Sequence, residues 1–181
     1  KFGQAQELPP QRERLELRAL ADEVIETAVI KASNRIRIFN KIEPGVVVDV
    51  VEPGRPLPAD ADLVVIPGSK ATLADLRALR AEGWDVDIAA HRRRGGLVVG
   101  LCGGYQMLGR RVADPEGREG RPDDAPGLGL LDVETVIGGD KTLTETSGAD
   151  AVGGQAVWGY EMHMGRTAGN DLARPWFTLE G

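Results

Sequence analysis

The scarcest residues in this 181-residue chain are the chemically versatile ones: a single cysteine and only two histidines. One cysteine excludes an intrachain disulfide framework, and there is no Cys/His cluster with zinc-ligand spacing. No apolar run approaches a membrane span, and the N-terminus lacks the basic-then-apolar layout of a signal peptide. Positive charge is also in deficit. The 22 Lys and Arg stand against 28 Asp and Glu, a net charge of −6, which argues against a general attraction to nucleic acid or to an anionic membrane. The one basic run, His91-Arg92-Arg93-Arg94, ends an expected helix, where cations suit the negative end of the macrodipole. It reads as a solvated helix terminus, with His91 structural. No G-x-x-x-x-G-K-[ST] phosphate loop occurs, so the chain carries no ATP-binding signature of its own. These absences together predict a cytoplasmic protein whose one thiol stays reduced and available for chemistry.

What is present is an ordinary folding composition, 41% apolar and 28% charged, long enough for one globular domain with a real core. Gln4 to Gln11, with Pro9-Pro10, reads as linker. Gln11 to about Ile30 carries Leu15, Leu17, Leu20, Val24, Ile25 and Ala28 mostly on one face of an amphipathic helix. Strands are expected over Gly45–Val51, Asp62–Ile66 and Leu97–Leu101. The helices between the last two would carry Leu73, Leu76 and Leu79, then run from about Trp84 to Arg94 and close at Gly95-Gly96. Leu97–Leu101 is apolar on both faces, as buried parallel strands are. A helix from Tyr105 to about Val112 follows. The alternation predicts an α/β domain, a mostly parallel sheet with helices on both faces. From Asp114 to Gly129 the Gly, Pro and acidic content predicts a loop. Leu130–Ile137 and Gln155–Met164 read as strands of a small additional β portion that could lie over the active face of the sheet.

The informative segment is Gly100-Leu101-Cys102-Gly103-Gly104-Tyr105-Gln106. It leaves an apolar strand, turns at the cysteine and enters a helix. Gly100 and Gly104 flank Cys102 in the G-x-nucleophile-x-G spacing of a strained elbow. Free N–H groups at the start of the following helix suit a thiolate, and the amide of Gly103 is placed to meet an oxyanion. The plainer alternative is a small buried hydrophobe. Three glycines around it have no use in that case.

The run Gly-Leu-Cys-Gly-Gly-Tyr-Gln-Met-Leu-Gly (100–109) resembles the nucleophile motif of class I (triad) glutamine amidotransferases, in the form used by the cobyric acid synthase group. Further segments agree in order: Val65-Ile66-Pro67-Gly68-Ser69-Lys70 with Asp75-Leu76, then Gly127–Thr135, Asp140–Leu143 and Gly159–Arg166. The resemblance covers roughly residues 60 to 181 and implies a class I amidotransferase-like (flavodoxin-like) fold. It implies that Cys102 attacks the side-chain amide of glutamine, forms a γ-glutamyl thioester and releases ammonia. By the same resemblance Gly68 or Ser69 supplies a second oxyanion amide beside that of Gly103, Gln106 contacts bound glutamine, and Lys141 pairs with its α-carboxylate. Gly68 and Ser69 equally suit a simple Pro-Gly turn leading into a capped helix, and both readings can hold at once.

The base is less plainly marked. His163 lies in an expected strand two residues after Glu161, so the two side chains share a face and a Cys–His–Glu arrangement can be drawn. The family usually carries its histidine in a later Thr-Tyr-Leu-His-Gly-like motif, and Gly165 stands where many relatives have a glutamate. The 32–40 segment also matches the family's first loop poorly. The expectation is therefore a linker and helix over 1–34 and an amidotransferase domain over 35–181, incomplete at its C-terminus, in a natural protein longer at both ends. No cofactor or metal is expected in this domain. The resemblance places ATP and Mg²⁺ on a partner synthetase domain that activates a corrinoid carboxylate for amidation. Cobyrinate diamide synthases and cell-wall lipid amidating enzymes share the core motif, and a catalytically silent docking module is the non-enzymatic alternative.

Overall fold

The computed structural model describes residues 15–16, 47–139 and 142–180. The chain divides into two compact units, Lys1–Glu52 and Pro53–Gly181. In the first, β1 (Leu15–Glu16) pairs antiparallel with β2 (Val47–Val48). The helix expected over 11–30 therefore fails at Leu15 and Glu16, and its other residues lie outside those described. Of the strand expected over 45–51, Val47 and Val48 pair. Asp49 to Val51 do not, and Gly45 and Val46 lie outside the described residues.

The second unit begins with a parallel crossover. β3 (Leu63–Ile66) is followed by α1 (Thr72–Ala81) and α2 (Trp84–Arg93), and β4 (Leu97–Gly100) returns parallel to β3. Leu73, Leu76 and Leu79 recur at helical spacing and form the buried face of α1, with Leu76 at 0% exposure. Gly83 adopts φ 76°, the left-handed conformation that ends one helix and lets the next begin. His91 is buried, its Nε2 2.9 Å from the carbonyl oxygen of Leu97, while Arg92 to Arg94 are exposed. The histidine is structural, as its position suggested, and only the arginines form the solvated terminus.

Burial on both faces of this sheet is not seen. Leu63, Val65 and Leu97 are exposed, Leu97 by 64%, because both helices of the crossover lie on the face carrying Val64 and Ile66.

After β4 the short helix α3 (Gly103–Leu108) gives way at once to β5 (Arg111–Asp114), so Val112 belongs to a strand, not to a helix. β6 (Asp123–Pro126), β7 (Val133–Val136), β8 (Thr142–Asp150), β9 (Ala156–His163), β10 (Arg166–Gly169) and β11 (Phe177–Glu180) follow. One sheet has the order β10-β7-β5-β6, with only β5–β7 parallel. The other, β11-β8-β9, is wholly antiparallel. A mostly parallel sheet is thus corrected to an α/β fold with mixed sheets. The connections after α3 are short, and short connections join antiparallel strands, whereas a parallel pair needs a longer crossover. Val112, Val133 and Ile137 of the mixed sheet are almost fully buried. Its edge strand β6 tolerates Pro126 because one side of an edge needs no donor.

Candidate active site

The site grows from the end of β4. The N–H of Leu101 donates to the carbonyl of Ile66 at 2.9 Å, so the parallel ladder persists one residue beyond the strand. Cys102 then takes φ 51° and ψ −112°. Among the described residues it is the only non-glycine with positive φ. Such a conformation costs on the order of 1–3 kcal/mol, and burying a small thiol gives no reason to maintain it. Moreover, Cys102 is exposed. The buried-hydrophobe reading fails on both counts.

The flanking glycines are needed for close approach. A Cβ on Gly104 would lie 2.1 Å from the carbonyl oxygen of Ile66, and one on Gly100 would lie 2.5 Å from the carbonyl of Gly104. Real Cβ contacts do not come so near, so the elbow closes only if both positions are bare. The G-x-C-x-G spacing thus has a steric cause here.

The Pro-Gly-Ser loop lies directly against this turn. A Cβ on Gly68 would sit 3.5 Å from the Cβ of Cys102, and one on Gly103 would sit 2.9 Å from the backbone nitrogen of Ser69. Gly68, Ser69, Cys102 and Gly103 therefore converge from two loops. Gly103 opens α3, and the first N–H groups of a helix have no intrahelical acceptor. Ser69 also serves the loop itself. Its Oγ donates to Asp75 at 2.5 Å and accepts from the N–H of Ala71 at 2.9 Å.

Gln106 is buried, at 7% exposure. Its Nε2 donates to the carbonyl of Met164 at 3.2 Å, and its Oε1 faces the hydroxyl of Thr72 at 3.4 Å. Helix α3 is thereby tied to the segment that follows β9. His163, half-buried, is the last residue of β9 and precedes Met164. Glu161 lies two residues earlier on the same strand, opposite Thr144. Its side chain lies outside the described portion, as does Lys141. Tyr105, on α3, has its hydroxyl pKa pushed up by burial and then by the nearby negative charge of Asp171.

Thr72, Asp114 and Glu119 join the site without having been anticipated. The acidic loop after β5 is not irregular. The Asp114 carboxylate, 1% exposed, accepts the N–H groups of Arg118 and Glu119 at 2.8 and 2.9 Å. Glu119 in turn accepts from the N–H of Thr72 at 2.5 Å and from its hydroxyl at 3.1 Å. The N-cap residue of α1, Ala71, has no capping side chain, and Glu119 supplies the cap from 47 residues away. The available signal was Asp114 at the head of a Pro115-Glu116-Gly117 turn sequence. It is local and aperiodic, so composition showed only a loop. Among the described residues no group of His, Cys, Asp and Glu could hold a metal ion.

Residues 33–181 match the CobB/CobQ-like glutamine amidotransferase domain. The chain is 60% identical over 139 residues to a cobyric acid synthase of Ruegeria sp. (strain TM1040), covering 77% of this chain and 29% of that protein. It is 60% identical over 141 residues to a cobyric acid synthase of Cereibacter sphaeroides, covering 78% and 29%. A cobyric acid synthase of Methylobacterium nodulans is 63% identical over 135 residues, covering 75% and 28%. The chain thus spans under a third of the length of these relatives.

Proposed function

The chain belongs to the CobB/CobQ-like glutamine amidotransferase domain family, and from that premise we propose that it hydrolyses glutamine with Cys102 as nucleophile, supplying ammonia for corrinoid amidation. The observation that carries the reading is the strained, exposed Cys102 at the strand-to-helix elbow. Its thiolate attacks the side-chain carbonyl carbon of glutamine. The backbone amides of Gly103 and of Gly68 or Ser69 hold the resulting oxyanion. The C–N bond breaks, a proton reaches the leaving nitrogen and ammonia departs. Water then adds to the γ-glutamyl thioester, which releases glutamate and restores the thiol.

Gln106 contacts the bound glutamine, and Lys141 pairs with its α-carboxylate. We assign proton transfer to His163, with Glu161 orienting it. The support is the Gln106–Met164 bond, which ties the residue next to His163 to the nucleophile helix. The acceptor side rests on the relatives' names and on the share of their length that this chain lacks. A synthetase partner using ATP and Mg²⁺ activates the corrinoid carboxylate, and this domain supplies the nitrogen.

The test is reaction of the chain with 6-diazo-5-oxo-norleucine, read by intact mass and peptide mapping. One adduct on Cys102, prevented by excess glutamine, is expected. A thiol that a small alkylating reagent reaches but the analogue does not would overturn the proposal.

A further inference from the structure

The hydroxyl of Thr72 has one hydrogen and two acceptors in reach: Glu119 Oε1 at 3.1 Å and Gln106 Oε1 at 3.4 Å. The carboxylate is the nearer, and a charged acceptor forms the stronger bond. Its other oxygen is anchored by the N–H of Thr72, and the buried Asp114 carboxylate fixes the loop that carries it. The hydrogen therefore belongs to Glu119. The amide orientation of Gln106 is set at its other end, where Nε2 donates to Met164, so its Oε1 is the atom turned toward Thr72. This buried carbonyl is left with only a long contact in a region where polar groups are normally satisfied.

Resting on the reading that glutamine binds beside Cys102 and Gln106, we propose that Glu119 is a positioning residue. By holding the Thr72 hydroxyl hydrogen it keeps the Gln106 carbonyl free to accept an N–H of the bound glutamine. Removing Glu119 turns that hydroxyl onto Gln106, where it competes with the substrate. The competition has a signature that loss of a structural cap does not have. Deleting the hydroxyl as well relieves the competition and restores binding.

The experiment measures the glutamine concentration that half-protects Cys102 of the full chain from 6-diazo-5-oxo-norleucine. In Glu119→Ala that concentration rises about tenfold, the scale of one hydrogen bond, while alkylation by iodoacetamide without glutamine stays within about threefold. The double variant Glu119→Ala/Thr72→Val returns to within about threefold of the parent. If Glu119→Ala does not fold, Glu119→Gln serves. Its amide nitrogen donates to the Thr72 oxygen and sends the hydroxyl hydrogen to Gln106, so the same rise and the same rescue are expected. Unchanged protection in the single variant overturns the inference, as does a double variant that binds glutamine more weakly still. Absence of any analogue label on the parent chain overturns the reading of the site itself, and the inference falls with it.

Discussion

Cys102 holds a strained backbone, and on its proposed role as nucleophile stability and activity should separate when the residue is replaced. Cys102→Gly relieves a cost of about 1–3 kcal/mol but adds about 0.4–1 kcal/mol of unfolded-state entropy. The expected result is a chain as stable as the parent or up to about 2.6 kcal/mol more so, read by denaturant unfolding, with all glutamine hydrolysis lost. A loss of stability greater than about 1 kcal/mol would show that no strain was relieved. Gly104→Ala should act in the opposite way. Its methyl meets the Ile66 carbonyl at 2.1 Å, which backbone cannot yield without opening the elbow. A loss of about 2 kcal/mol or more is expected, together with loss of analogue labelling. The elbow was legible because its spacing is local and its glycines have one steric use. Gln106 was legible in place, but not in its buried bridge to Met164. Glu119 was not, since its partner Thr72 is 47 positions away and no local pattern encodes a cap delivered from that distance.

Among the elements, α1 was readable because Leu73, Leu76 and Leu79 repeat at helical spacing and are buried, and the ends of α1 and α2 because Gly83 and Gly95 take the positive φ that ends a helix. Strands β6 and β8 were missed for a common reason. Asp-Asp-Ala-Pro and Thr-Leu-Thr-Glu-Thr-Ser-Gly-Ala-Asp lack an apolar face, and their pairing is fixed by neighbouring strands. The turn between β8 and β9 depends on one carboxylate instead. Asp150 accepts the N–H groups of Val152, Gly153 and Gln155. Those bonds, chiefly from Gly153 and then Gln155, hold its pKa below the ordinary aspartate value of 3.8. A depressed folded-state pKa stabilises at pH values above the unfolded one, and that contribution is lost as pH falls through the folded one. On acidification below about pH 4, amide exchange at Gly153 and Gln155 should therefore accelerate. In Asp150→Asn the same amides should exchange faster already at neutral pH and show no acid step. An acid step that persists in the variant would move the titration to another group.

For the molecule as a whole, under a third of the relatives' length is present, and on the proposed reading its residues carry only the ammonia-releasing chemistry. The Cys102 elbow, the Gly68-Ser69 loop and the Gln106 bridge converge, whereas no phosphate-loop motif occurs anywhere in the sequence. Thiol hydrolysis of an amide needs no nucleotide, because the thioester is resolved by water alone. Activation of a corrinoid carboxylate does need one. The chain by itself should therefore release ammonia and glutamate in equal amounts from glutamine, and added ATP with Mg²⁺ should change neither the rate nor the ratio. Parallel assays of the two products, with and without nucleotide, check this. Addition of a synthetase partner with ATP and its corrinoid substrate should then lower free ammonia relative to glutamate, because nitrogen leaves as the new amide. Stimulation of the isolated chain by ATP would show that this sequence carries a nucleotide site of its own, and the division of labour between the domains would have to be redrawn.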